Sequence, residues 1–70
     1  MDWIDTPESS RILRFKYDPA RQTLTVVFKN DSTYDYLDVP EVVFNAMRSA
    51  QSKGQFLAAQ IKGRFRFAPC

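Results

Sequence analysis

The stretch from Ala50 to Phe67, AQSKGQFLAAQIKGRFRF, contains the residue types best suited to binding an anion. It carries four basic residues, two glycines and three phenylalanines, and it has no acidic side chain. Basic side chains attract phosphate or carboxylate groups, and aromatic rings between them can stack on nucleic-acid bases. We therefore treat this stretch as a candidate surface for an acidic partner.

The charge of the chain is divided unevenly along its length. Residues 1–41 hold five Lys or Arg against eight Asp or Glu, a net −3, and residues 42–70 hold five Lys or Arg and no acid, a net +5. This asymmetry predicts a molecule with one acidic and one basic side. We expect Lys53, Lys62, Arg64 and Arg66 to cluster near Gly54 and the chain end. The candidate partner-binding residues are Arg48, Lys53, Gly54, Lys62, Arg64, Arg66, Phe67 and Tyr34.

Two parts of the basic stretch have competing interpretations. AQSKG, residues 50–54, resembles a phosphate cradle. We favour a connection between two helices, with Ser52 as N-cap and Gly54 at positive φ, because the stretch lacks the full glycine spacing of a P-loop. KGRFRF, residues 62–67, is similar to an RNA-recognition-motif strand, although the chain has neither the length nor the element order of that fold. We expect Phe65 in the core and leave Phe67 open.

The tyrosines and the acids of the first half offer two further possibilities. The three tyrosines could form a stacking platform, but a tyrosine pair on a strand is more typical of a core; we assign Tyr36 to the core and leave Tyr34 open. Three aspartates could supply oxygen ligands to Mg²⁺, but their spread along a hairpin favours a solubilising role. These aspartates are Asp31, Asp35 and Asp38.

Composition argues against several function classes. The 70 residues form one domain, histidine is absent, and the single cysteine is Cys70, so general acid–base catalysis, a zinc site and an internal disulfide are not supported. We predict a protein that is not an enzyme and that uses no cofactor, metal or small-molecule substrate. No signal peptide or membrane span is indicated, so we expect a cytoplasmic monomer.

Hydrophobic periodicity predicts an α+β fold. Strands are expected at residues 11–17, 23–29 and 33–38, forming a three-stranded antiparallel meander, with residues 64–70 as an extended tail and a candidate fourth strand. Two short helices packed on one face follow, the first beginning at Pro40-Glu41 and the second covering residues 55–61. Residues 1–9 are expected to be an irregular arm, 10–67 the domain and 68–70 the end of the chain.

The strand phase predicts which apolar residues are buried. The predicted core consists of Leu13, Phe15, Leu24, Val26, Phe28, Tyr36, Val43, Phe44, Met47, Phe56 and Ile61. The remaining large apolar residues could form a patch for a protein partner if they lie together on the surface. That predicted patch consists of Trp3, Ile12, Val27, Leu37 and Phe67.

Ordered residues over most of the chain are similar to those of a known family. They are Ser9-Ser10, Tyr17-Asp18, Leu24, Val26, Phe28, Tyr34-x-Tyr36, Val39-Pro40, Ala50-x-Ser52-x-Gly54-x-Phe56 and Ile61-Lys62. With this pattern the chain resembles the KTSC domain, a short module found alone in bacterial and phage proteins and at the C-terminus of some lysyl-tRNA synthetases. It departs from the family pattern at residues 30–32, where glycine is usual, and at Phe65, where tyrosine is usual.

The resemblance implies the fold and suggests two classes of partner. Association with synthetases implies RNA or the translation apparatus. Phage proteins of this size and type resemble regulators that bind host RNA polymerase, which implies a protein partner. We therefore expect a binding module whose basic end meets nucleic acid, RNA above all, or an acidic surface of the transcription or translation machinery.

Overall fold

The computed structural model, which describes residues 3–70, contains one antiparallel sheet of five strands in the order β1-β2-β3-β4-β5. The predicted α+β class and meander are confirmed. The tail supplies the edge strand β5, and the segment predicted to be an irregular arm supplies the short strand β1. The strands are β1 (Ile4–Asp5), β2 (Ile12–Asp18), β3 (Thr23–Phe28), β4 (Thr33–Tyr36) and β5 (Phe67–Pro69).

The turns between the strands form where side chains cap the backbone. The Asp18 carboxylate accepts hydrogen bonds from the backbone N–H groups of Ala20 and Arg21, which closes the β2–β3 turn. In the β3–β4 turn, Asp31 adopts a φ of 70°, as expected of a residue type that tolerates the left-handed region.

Helix α1 spans Glu41–Ser49 and begins directly after Pro40, whose carbonyl accepts from the N–H groups of Val43 and Phe44. The four-residue helix α2, Lys53–Phe56, continues without interruption into a π-helical segment, Leu57–Ile61. The predicted N-cap is confirmed, because the Ser52 hydroxyl accepts from the N–H of Gln55 at 3.3 Å.

The predicted role of Gly54 was wrong. Gly54 lies inside α2, where an added Cβ would sit 3.4 Å from the Ser9 hydroxyl, and the glycine with a positive φ, 85°, is Gly63 beyond the π-helical segment. A Cβ at Gly54 would meet that hydroxyl at van der Waals distance, whereas Gly63 provides the turn out of the helix, where its positive φ favours glycine.

The core lies between the helices and one face of the sheet. Phe44 of α1 stacks on Tyr17 at a centroid distance of 4.8 Å and meets Phe15 edge-on at 5.9 Å. Most of the predicted core is confirmed, and Phe28, Val43 and Phe56 pack against it half-buried. The fully buried apolar residues are Ile12, Phe15, Tyr17, Leu24, Val26, Tyr36, Val39, Phe44, Met47, Leu57 and Ile61.

One predicted core residue was wrong. Leu13 is 46% exposed, and its neighbour Ile12, which was assigned to a surface patch, is fully buried. The β2–β3 register shifts between Ile12 and Arg14, and such a bulge changes which face the next side chain meets. Thr6 supports the irregularity, because its hydroxyl donates to the Ile12 carbonyl and its N–H to that of Leu13.

The helices cover only part of the sheet face on which they pack. They bury this face of β2 and the first part of β3, whereas Phe28 and Tyr34 are half-buried and Phe67 is 58% exposed. A strip along β4 and β5 therefore remains open beside the π-helical segment. Between Trp3 and Cys70, no helix has the length and apolar character needed to span a bilayer.

Candidate nucleic-acid interface

The open strip carries a row of aromatic side chains in mutual contact. Tyr34 meets Phe28 at a centroid distance of 5.7 Å and Phe67 at 5.5 Å, both nearly perpendicular, and Tyr36 lies 6.1 Å from Phe67. The register explains the row, because Tyr36 pairs with Phe67 across β4 and β5 and Tyr34 pairs with Val26 beside Phe28. Burial, with a smaller contribution from Tyr34, raises the pKa of Tyr36, so its hydroxyl is neutral at physiological pH.

Three basic side chains surround this row. Lys62 follows the π-helical segment, Arg11 precedes β2, and Lys29 follows β3. The ammonium group of Lys29 donates to the Ser9 carbonyl, which holds that side chain at the wall, whereas Arg11 and Lys62 are exposed and form no salt bridge with any residue from 3 to 70.

Together these residues line a groove of about 610 Å³. We call it the aromatic groove; its four rings and three cations are Phe28, Tyr34, Tyr36, Phe67, Arg11, Lys29 and Lys62. Its other lining residues, Ser10 and Asn30, are uncharged, so no carboxylate of residues 3–70 lines it. Because all its charges are positive and its walls are aromatic, the groove suits a planar ligand that carries negative charge.

Three of the eight predicted binding residues meet in the aromatic groove: Tyr34, Lys62 and Phe67. Tyr34 is half-buried and Phe67 is exposed, which answers the question left open for both. Phe65, expected in the core, is half-buried and packs against it.

The other five predicted residues do not line the aromatic groove, although Gly54 lines a small cavity next to Arg11 and Lys62. The Lys53 ammonium donates to the Ala50 carbonyl and lies 3.9 Å from the Glu8 carboxylate. That contact and the Ser52 cap match the helix-connection interpretation of residues 50–54. Gly54 packs beside Ser9 in the same region.

The remaining three arginines point to separate neighbours. The Arg66 guanidinium lies 3.5 Å from the Asp38 carboxylate, Arg48 lies over the Phe44 ring, and Arg64 lines an apolar hollow. The expected single basic cluster of Lys53, Lys62, Arg64 and Arg66 therefore does not form, because these side chains have different surroundings.

Sequence reasoning missed Arg11 and Lys29 as binding candidates. Both belong to residues 1–41, whose net charge is negative, so summing the charge over that segment did not indicate them as cations of a binding site. The backbone N–H of Lys29 donates to the Arg11 carbonyl at 2.8 Å, next to the pair formed by Ile12 and Phe28. Counting outward from the β2–β3 turn along a regular ladder places Arg11 opposite Asn30, and only the one-residue shift at the bulge brings it opposite Lys29.

The predicted apolar patch does not form either. Ile12 is buried, and Trp3 lies on the opposite sheet face from Phe67, where the Arg14 and Lys16 cations stand 4.7 and 4.6 Å from its ring centroid. Val27 lines that face with Trp3. Of the three aspartates considered as Mg²⁺ ligands, Asp35 lines this face, and its carboxylate accepts a hydrogen bond from the Thr25 hydroxyl at 2.6 Å.

A different apolar surface lies on the outer side of the helices. Val42, 71% exposed, and Val43 of α1 face Phe56 and Phe65 across a hollow of about 640 Å³. Among the residues from Trp3 onward, Arg64 is its one charged lining residue. Its lining carries one cation where that of the aromatic groove carries three, so it suits a less charged ligand.

The family model for the KTSC domain matches residues 8–65. The chain belongs to the KTSC domain family. A KTSC domain protein of known structure from Yersinia pestis superposes with a TM-score of 0.93 at 39% identity, covering 99% of this chain and 96% of that one.

Similar sequences occur in two settings. A protein from Tsukamurella paurometabola is 44% identical over 59 residues, covering 84% of this chain and 88% of its own length. A lysine–tRNA ligase from Nostoc sp. is 43% identical over 61 residues, which are 87% of this chain but only 11% of the ligase. The chain thus spans about a tenth of the length of such ligases and most of the length of the small relative.

Proposed function

We propose that this chain is a small, non-catalytic module that binds nucleic acid, RNA above all, in the aromatic groove. The observation that carries the proposal is the convergence of exposed Phe67 with Arg11 and Lys62 on a surface that, within the described part of the chain, is lined by no carboxylate. Stacking on the ring and neutralisation of phosphates by the two cations are complementary sources of affinity for a polynucleotide. The module acts as a monomer in the cytoplasm, where RNA is available.

The relatives support RNA over DNA. A lysine–tRNA ligase is named for a tRNA substrate, and in such ligases a segment similar to this chain is part of the same polypeptide. A module that binds RNA would hold the substrate close to the enzyme and raise its effective concentration. Where such a module is not attached to a ligase, the same groove would bind RNA by itself.

The charge of the groove gives a quantitative test. For single-stranded nucleic acid, the logarithm of the binding constant falls with the logarithm of salt concentration by about 0.7 per neutralised phosphate. Replacing Arg11 and Lys62 together with glutamine should therefore make the slope shallower by about 1.4. The matched control replaces Arg48 and Arg64 with glutamine, which removes the same net charge from exposed arginines outside the groove.

Binding is measured by the fluorescence anisotropy of a labelled single-stranded oligoribonucleotide at salt concentrations from about 50 to about 300 mM. Affinity that depends on phosphate contacts changes strongly over this range. The proposal predicts a shallower slope for the groove variant and an unchanged slope for the control. Equal changes in both variants would show that only overall charge matters. Absence of binding by the parent protein would rule out the proposed function.

A second candidate is a protein interface at the apolar hollow beside Val42. The 71% exposure of Val42 next to Val43 and Phe56 is the observation that favours it. Such a hollow could receive an apolar side chain of a protein in the transcription or translation machinery, RNA polymerase included. Val42→Asp should abolish that binding without changing RNA affinity, which a pull-down of purified RNA polymerase would measure; retention of the polymerase by the variant would contradict this candidate.

A further inference from the structure

Phe67 is the ring of the aromatic groove that has an open face. It is 58% exposed, whereas Tyr36 is 4% exposed and Phe28 and Tyr34 are half-buried. On its inner side Phe67 contacts Tyr34 and Tyr36, so the outer side of its ring faces solvent. One planar group can therefore stack there.

The other rings cannot extend this stacking surface. Tyr34 meets Phe28 and Phe67 at interplanar angles of 73° and 81°, so consecutive rings stand edge to face rather than in one plane. A series of stacked bases needs ring faces with similar orientation, each available to one base. The geometry of the groove therefore limits stacking to one base.

The polar part of the wall presents donors. Arg11 and Lys62 offer only N–H groups, and Asn30, whose amide oxygen accepts from the N–H of Ser32, adds the two donors of its NH₂ group. A donor-rich wall suits the acceptor atoms of phosphates and of base edges.

We propose that the aromatic groove takes one unpaired base of a single-stranded nucleic acid, stacked on Phe67, while Arg11 and Lys62 contact the flanking phosphates. This inference rests on the proposed nucleic-acid binding and narrows its substrate class. Inside a duplex each base is stacked on both faces, so a base can lie on Phe67 only after it has left the stack.

The test compares labelled eight-nucleotide strands that have the same phosphates but different numbers of bases. One strand carries stable abasic residues throughout, one carries a single central adenine, and one carries two adjacent adenines; a blunt duplex of equal length is the fourth probe. We expect the one-base strand to bind at least about fivefold more tightly than the base-free strand, as one stacked base should provide. The two-base strand should gain only the statistical factor of about two.

The outcomes separate this inference from the proposed function. Equal binding of base-free and one-base strands, a further fivefold gain from the second base, or duplex binding as tight as that of the one-base strand would each overturn the single-base site. In those cases a salt slope that depends on Arg11 and Lys62 would still support nucleic-acid binding. Failure of all four probes to bind would remove both proposals.

Variants of Phe67 test the stacking partner itself. Phe67→Leu keeps an exposed apolar side chain but removes the ring, so the gain from the single base should disappear, whereas Phe67→Trp should retain it. Trp3→Leu is the matched control, because it removes a partly exposed ring from the opposite sheet face. Circular dichroism confirms folding of each variant. Retention of the gain by folded Phe67→Leu would show that the base stacks elsewhere.

Discussion

The bulge in β2 predicts that two neighbouring apolar residues differ strongly in their contribution to stability. Ile12 is fully buried in the core, so Ile12→Ala should destabilise the domain by about 2–5 kcal/mol through lost burial and the cavity left behind. Leu13 is 46% exposed and leaves no enclosed cavity, so Leu13→Ala should cost less than about 1 kcal/mol. At about 0.05–0.15 kcal/mol per residue, a domain of this size has only about 4–10 kcal/mol in total, so the first loss is a large fraction of its stability.

Urea unfolding followed by circular dichroism measures both variants under the same conditions. We expect the urea concentration at the unfolding midpoint to be much lower for Ile12→Ala than for Leu13→Ala. The dependence of the unfolding free energy on urea concentration should be similar for the two variants. A regular strand in phase with Phe15 and Tyr17 would bury Leu13 instead. Equal midpoints, or a greater loss for Leu13→Ala, would therefore refute the assigned bulge.

Three further predictions concern single side chains. Tyr17→Phe removes the hydroxyl that donates to the Val39 carbonyl at 2.5 Å and should cost about 1–3 kcal/mol in urea unfolding, whereas no change would contradict the bond. Burial, with smaller contributions from Glu41 and Asp18, raises the pKa of Tyr17 above 10.0 in the folded protein, so this advantage over phenylalanine should persist below pH 10 and be lost as pH rises through the raised pKa. Gly63→Ala should lower the free energy of unfolding by about 1 kcal/mol because φ is 85°, and Gly63→Asn should lower it less. Thermal melts would measure both losses, and equal losses would argue against a left-handed conformation. Asp38→Asn breaks only the exposed contact with Arg66 and should change stability by less than about 1 kcal/mol, so a larger loss would indicate a role beyond that ion pair.

The sequence predicted the main elements because local chemistry determines them. The alternation of apolar residues predicted β3. The start of α1 was predicted from Pro40 and Glu41, and the start of α2 from Ser52 as its N-cap. The bulge could not be predicted, since Ile12 and Leu13 are adjacent and equally suited to burial. The choice between them depends on Thr6, whose backbone and hydroxyl bond the carbonyls of both residues.

The candidate site was only partly predictable, because the order of charged residues along the chain does not determine which of them lie together on the folded surface. Lys62 and Phe67 were found from the basic, aromatic composition of their segment. Arg11 and Lys29 are separated by 18 positions in the sequence and become neighbours only through the β2–β3 register. The separation of Arg64 and Arg66 from Lys62 likewise depends on the turn at Gly63, where the chain leaves the helix.

The proposal that nucleic acid binds in the aromatic groove is tested most directly by mapping which residues contact bound RNA. Backbone amide signals of the parent protein, assigned by NMR, are followed while a single-stranded oligoribonucleotide is added to saturation. We expect the largest shifts at Arg11, Lys29, Lys62 and Phe67, and we expect these shifts to decrease as salt is raised. Largest shifts around Val42, or on the opposite sheet face near Trp3, would contradict it.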